Sequence, residues 1–167
     1  MKTLNLLLDA REILASKVSQ DTPIMSIAQN AQTVGPGELF FAVRGTKVDG
    51  HGFVKEILER GAAAAVVEDE EVYRRFPQTI LVRSVRVLLG RAMSRFLDSP
   101  SNRFSLVGIT GTNGKTTSTY LLRSVWQGMS FSTGLLGTVE YQIGEEIRPS
   151  SLTTPGPLEL QKLFHEM

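Results

Sequence analysis

The 167-residue chain contains no cysteine, so disulfides and cysteine-ligated metal centres are excluded, and the composition fits a reducing compartment. It has no excess of charge either. Its 18 Lys and Arg against 17 Asp and Glu leave a formal net charge of +1, which gives no electrostatic reason to expect nucleic acid or an acidic membrane surface as a partner. No apolar run approaches the roughly 18 residues that mark a membrane span. The opening MKTLNLLLDAREIL has a short apolar stretch, Leu6 to Leu8, that Asp9 and Arg11 stop well short of a signal-peptide core. The chain reads as soluble and cytoplasmic. What it does have is 41% hydrophobic and 21% charged residues, enough for a packed core in one ordinary domain or two small ones.

Two blocks follow along the chain. In the first, residues 1–98, strand and helix signals alternate. ELFFAV (38–43) is a short apolar strand entered through the turn GPG (35–37), and FVKEILER (53–60) is an amphipathic helix with Gly61 as its C-terminal cap. AAAAVVE (62–68) and TILVR (79–83) are further strands. Val85, Leu88, Leu89, Ala92, Met93, Phe96 and Leu97 have the spacing of a helix packed on a sheet. This alternation predicts βαβ crossovers and a mainly parallel sheet. DSPSNR (98–103) is the boundary. A second block, residues 99–167, opens with an expected strand 104–109, a loop 110–114 and a helix 115–127. Leu135 to Ile143 then reads as a strand or hairpin, and LELQKLFHEM as a last helix with no cap or stop signal. With few strands of its own, this block is thin for an independent α/β domain, and the chain is expected to be cut short.

The loop carries the chemistry. The first N–H groups of a helix lack intrahelical partners and face a positive dipole end, so an anion is favoured there. Gly111 and Gly114 allow a tight turn and a close approach to phosphate oxygens. Lys115 supplies a point charge for the terminal phosphates, and the Thr116 hydroxyl is placed to ligate Mg²⁺. The spacing is not that of the ordinary P-loop, which has a glycine where this chain has Ile109.

The motif ITGTNGKTT resembles the ATP-binding loop of the Mur ligases, which is a contracted P-loop. The resemblance extends to VGPGELFFAVRGTKVDGHGFVKEILERGAAAAVVE (34–68), similar to the uridine-nucleotide-binding N-terminal domain of the MurE-type ligases, and to TGLLGTVEYQIG and SLTTPGPLELQ (133–161), similar to the start of their central ATPase domain. It implies an N-terminal Mur-ligase α/β domain (1–98) that binds the UDP-precursor, followed by the truncated start of a P-loop-type parallel-sheet ATPase domain (99–167). The implied activity is ATP-dependent addition of an amino acid to UDP-MurNAc-L-Ala-D-Glu through an acyl phosphate, with ATP and Mg²⁺ as cofactors and a monomeric chain. Gly111, Thr112, Asn113, Gly114, Lys115, Thr116 and Thr117 would contact ATP, and Thr116 the Mg²⁺. Thr46, Lys47 and Val48 would meet the uridine nucleotide. Thr153 and Thr154, which alone read as a turn before Pro155, would hold the precursor near its diphosphate and sugar. The family's remaining catalytic parts lie further along its chains, so these residues alone are not expected to turn over. Two other readings stand beside this one: a stand-alone nucleotide-binding module, and a MurF-type ligase portion.

One departure stands out. The family usually carries Asp-Ser-Arg where this chain has Asn30, Ala31 and Gln32, and Ala31 cannot supply the serine hydroxyl that reaches the uracil nucleotide. His51 reads as a turn-stabilising residue, Trp126 as core or domain contact, and EDEE (68–71) as a solvated acidic loop. His165 has no metal-ligand partner at helical spacing.

Overall fold

A computed structural model describes residues 1–45, 48–150 and 152–167. The chain forms two compact units, Met1–Asp98 and Ser99–Met167.

In the first unit, strand β1 (Lys2–Thr3) leads into a single helical turn α1 (Leu4–Leu7) and then β2 (Ile13–Ser16). Strands β3 (Pro23–Ile24), β4 (Ser26–Ala28) and β5 (Glu38–Phe41) follow. Helix α2 (Val54–Glu59), β6 (Ala64–Val67), α3 (Glu70–Arg75), β7 (Thr79–Val82) and α4 (Val85–Phe96) complete the unit. Five strands form one sheet in the order β2-β7-β6-β5-β4. β4, β5, β6 and β7 run parallel, and β2 joins β7 antiparallel across an irregular register between Ile13 and Ala15.

The sheet is covered on both faces, which is why its central strands are continuous apolar runs. All four residues of β6 are fully buried. Phe40, Ala42, Ala65, Val67 and Leu81 pack with Val54 and Ile57 of α2, and Val72, Tyr73 and Phe76 close the edge of that layer. Strand alternation turns Leu39, Phe41, Ala64, Val66 and Ile80 to the opposite face, where α4 packs on β4, β5 and α1. The apolar stripe of α4, Val85, Leu88, Leu89, Ala92 and Met93, is buried throughout, at about 1.5–3 kcal/mol for each large side chain. The expected strands and the two expected helices of this block are present.

The acidic stretch 68–71 is not the solvated loop that the sequence suggested. Asp69 accepts the N–H groups of Glu71 and Val72 and caps α3, while the Glu68 carboxylate accepts the Val85 N–H at 3.0 Å at the start of α4. Both carboxylates sit at helix N-termini, where the unpaired N–H groups favour them.

The second unit contains α5 (Lys115–Gly128), β8 (Gly134–Leu136), β9 (Glu140–Ile143), β10 (Glu146–Pro149) and α6 (Pro157–Glu166). Its sheet is antiparallel, in the order β10-β9-β8. β9 and β10 are joined by a two-residue turn in which Gly144 has φ +59°. The helix expected after the loop is present. The parallel sheet and the strand expected over 104–109 are not: among the described residues, 105–109 have no ladder partner, and Leu106 and Val107 are more than half exposed. An apolar run becomes a strand only when a neighbouring strand takes its N–H and C=O groups, and β8 pairs with β9 instead. The small core of this unit gathers Leu135, Tyr141, Leu163 and Phe164, with Phe104 edge-on to Phe164 at 5.7 Å between ring centroids.

Candidate functional site

The loop before α5 has the backbone that an anion site needs. Gly114 occupies the helix N-cap with φ +79°, and no side chain caps the helix. A Cβ there would meet nothing within 4 Å, so glycine is required by the left-handed backbone and not by crowding. The first intrahelical donor is the Ser118 N–H, bonded to the Gly114 carbonyl at 2.8 Å; the N–H groups of residues 115–117 precede it. Lys115 folds back so that its ammonium donates to the Gly111 carbonyl at 2.6 Å. That folds the one cation of the loop back onto the glycine turn that precedes the helix.

An open cavity of about 1080 Å³ lies against this helix start, at the upper end of the size of small-molecule sites. Gly111, Lys115 and Thr116 line it, and so do Thr153 and Thr154. Two segments nearly forty residues apart in sequence thus converge on one space. Thr112, Asn113, Gly114 and Thr117 do not line this cavity; all four are exposed along the loop and first helical turn. Trp126, read from the sequence as core or domain contact, is half-buried on the cavity wall. His165 is exposed on α6.

In the first unit, the segments leaving β4, β5, β6 and β7 emerge at the carboxyl edge of the parallel strands, where open α/β sheets bind ligands. Two of the uridine-site candidates, Thr46 and Lys47, lie outside the described residues. Val48, the third, is 57% exposed, and its carbonyl accepts the Gly45 N–H at 3.0 Å. Ala31 is half-buried, its methyl packed against the α2-side core and its carbonyl accepting from Arg60 at 2.9 Å.

The base of the 44–50 loop is held by His51, which the sequence reads as turn-stabilising, and by Arg44, Asp49, Asp69 and Arg86, which sequence reasoning gave no such role. Arg44 reaches Asp49 Oδ2 at 3.5 Å and Asp69 Oδ2 at 3.2 Å, and Arg86 donates to the Arg44 carbonyl at 3.1 Å. Asp49 Oδ1 accepts both the backbone N–H and the ring Nδ1 of His51, at 2.9 and 2.6 Å. Burial works to raise the Asp49 carboxyl, but the His51 hydrogen bonds and the Arg44 charge outweigh it and hold the group below the usual carboxylate range. Asp69 is also held low, first by the Val72 N–H. The acidic residues around a glycine-histidine turn were the available signal; their partners, distant in sequence, were not.

The Mur ligase middle domain matches residues 109–167, and the Mur ligase family, catalytic domain, matches residues 23–97. The chain belongs to the Mur ligase family. It is 42% identical, over 86% of its length, to the UDP-N-acetylmuramoyl-L-alanyl-D-glutamate–2,6-diaminopimelate ligase of Aquifex aeolicus, covering 29% of that protein. To the ligase of the same name from Listeria monocytogenes it is 38% identical over 98% of its length, covering 33% of the relative. A solved structure of a ligase with this name matches 99% of the chain and 33% of its own, with TM-score 0.69 and 22% identity, a likeness of fold. The chain spans about a third of the length of the curated relatives it matches. Among the described residues, no helix of this Mur ligase chain is long and apolar enough to cross a membrane.

Proposed function

We propose that the chain is the precursor- and ATP-binding portion of an ATP-dependent amide ligase of peptidoglycan synthesis, adding an amino acid to UDP-MurNAc-L-Ala-D-Glu. The observation that carries this reading is the convergence of Lys115 and Thr116 with Thr153 and Thr154 on one cavity. A phosphate-binding helix start and a pair of hydroxyls facing the same space suit a reaction that brings ATP to a second phosphorylated substrate.

The residues present fit ATP and Mg²⁺. Residues 111–117 would hold the phosphates, through a left-handed glycine turn and a helix start that no side chain already caps. The Lys115 ammonium would exchange its carbonyl partner for phosphate oxygens, and the Thr116 hydroxyl would join the Mg²⁺ ligands. ATP, when bound with Mg²⁺, supplies the phosphoryl group that activates a carboxylate for attack by an amine. This chain's part is to position and neutralise charge, which is most of the work in phosphoryl transfer. Thr153 and Thr154 would hold the precursor, and Thr46, Lys47 and Val48 its uridine end. The relatives' names make 2,6-diaminopimelate the amino acid to try first. This reading assigns the chain to the cytoplasm, as a monomer.

Calorimetric titration of UDP-MurNAc-L-Ala-D-Glu and of Mg²⁺ with ADP tests it. Each should bind the chain, and replacing Thr153 and Thr154 together by alanine should weaken the precursor while leaving ADP unchanged. Precursor binding that ignores both threonines contradicts the assignment.

A further inference from the structure

Among the buried side chains of the first unit, His51 makes a set of bonds that core packing does not ask for. It is only 6% exposed, and both ring nitrogens are engaged. Nε2 accepts the Glu68 backbone N–H at 3.1 Å, so the ring proton sits on Nδ1, which donates to Asp49 Oδ1 at 2.6 Å. One imidazole therefore joins the exit of β6 to Asp49 at the foot of the 44–50 loop.

The foot is rigid from other directions too. The Gly50 N–H bonds the Val43 carbonyl at 3.0 Å, and a Cβ at Gly50 would lie 2.9 Å from the Val43 backbone. Arg44 pairs with Asp49 across a one-residue bridge and with Asp69 beyond it. Val48, beyond the foot, is exposed, and its carbonyl accepts the Gly45 N–H within the loop. The ring thus ties Asp49, the described foot of the loop, to the exit of β6 at the sheet edge.

We propose that His51 is a positioning residue for uridine-nucleotide binding, acting through Asp49 and the Glu68 N–H to fix the 44–50 loop at the carboxyl edge of the sheet. This rests on the reading that the loop meets the uridine nucleotide. The side chain itself does not touch the ligand; its two hydrogen bonds hold the segment that does.

The experiment uses the full 167-residue chain with three substitutions. His51→Phe keeps a ring and loses both bonds. His51→Gln keeps an acceptor for the Glu68 N–H. Ile57→Val loosens the core of the same unit without touching the loop. Calorimetry with UDP should show affinity about tenfold weaker in His51→Phe, the size expected for one to two lost hydrogen bonds. His51→Gln should recover part of it, and Ile57→Val should bind as the parent does. Binding of Mg²⁺ with ADP should be the same in all four proteins. Equal UDP affinity in His51→Phe and the parent, or equal weakening in Ile57→Val, overturns the proposal. Amide hydrogen exchange at Gly45, Val48 and Gly50 separates it from the substrate reading. If the parent binds no UDP but these amides exchange faster in His51→Phe than in Ile57→Val, the positioning of the loop stands and the uridine assignment falls. If they exchange alike, both fall.

Discussion

The Tyr120 hydroxyl donates to Glu140 Oε1 at 2.7 Å, tying the second turn of α5 to the first residue of β9. This hydrogen bond, with burial and the carboxylate charge behind it, raises the tyrosine above its usual ionisation range. A raised acid favours its protonated form in the folded state, so its stabilisation is fully present below about pH 10 and is lost as pH rises beyond. Trp126 is the chain's one tryptophan, so its fluorescence reports unfolding of the second unit alone. Tyr120→Phe should lower the urea midpoint seen by Trp126 and flatten its decline above pH 10. An unchanged midpoint and an unchanged alkaline slope would show that the bond is not maintained in solution.

Acid should act on the first unit. Asp49 and Asp69 are both held below the usual carboxylate range, so the folded state binds their protons less tightly than the unfolded state does. Their contribution is present above about pH 4 and is lost as pH falls through the depressed values. Asp69→Asn keeps a good helix cap while removing the titration and the Arg44 pair. Circular dichroism should find it less stable than the parent at pH 7 and shallower in its decline between pH 5 and pH 2. Some slope should remain, because Asp49 still titrates and Arg11 also holds Asp9 low. A variant with the parental slope would remove Asp69 from the account.

How much of this was legible in the sequence depends on how local each signal is. Helix α4 was, because five buried residues repeat at helical spacing behind the Ser84 cap. The strands β5, β6 and β7 were, because a central parallel strand is an unbroken apolar run. Helix α3 carried its signals, an Asp cap, two glutamates in the first turn and two arginines in the last, but six residues with no buried side chain gave no periodicity to read. The apolar run at 104–109 misled for the opposite reason: its pattern was right, and strand formation depends on a partner elsewhere. The helix start at Gly114 and Lys115 was legible, because a glycine turn leads there into helical spacing, although the motif departs from the ordinary P-loop spacing. The joining of Asp49, His51 and Glu68 was not, since it depends on β5 and β6 lying side by side.

The family resemblance puts Ala31 at the position of a serine expected to reach the uracil nucleotide. Ala31 is only partly buried against the core, and a serine there would add a hydroxyl at that position. Ala31→Ser should tighten UDP binding by roughly two- to tenfold, the range of one added hydrogen bond. Equal affinity in the two proteins, measured by calorimetry, would place the uridine contact elsewhere.

The phosphate-binding role of residues 111–117 is tested most directly by titrating ATP with Mg²⁺ into the chain and into Lys115→Ala. Among the described residues the Lys115 ammonium is bonded only to the nearby Gly111 carbonyl, so its removal should leave the Trp126 urea midpoint unchanged. Saturable binding by the parent that requires Mg²⁺, and that is lost in Lys115→Ala at the same stability, is the predicted result. The same affinity with alanine at position 115, or no binding by the parent, would contradict it.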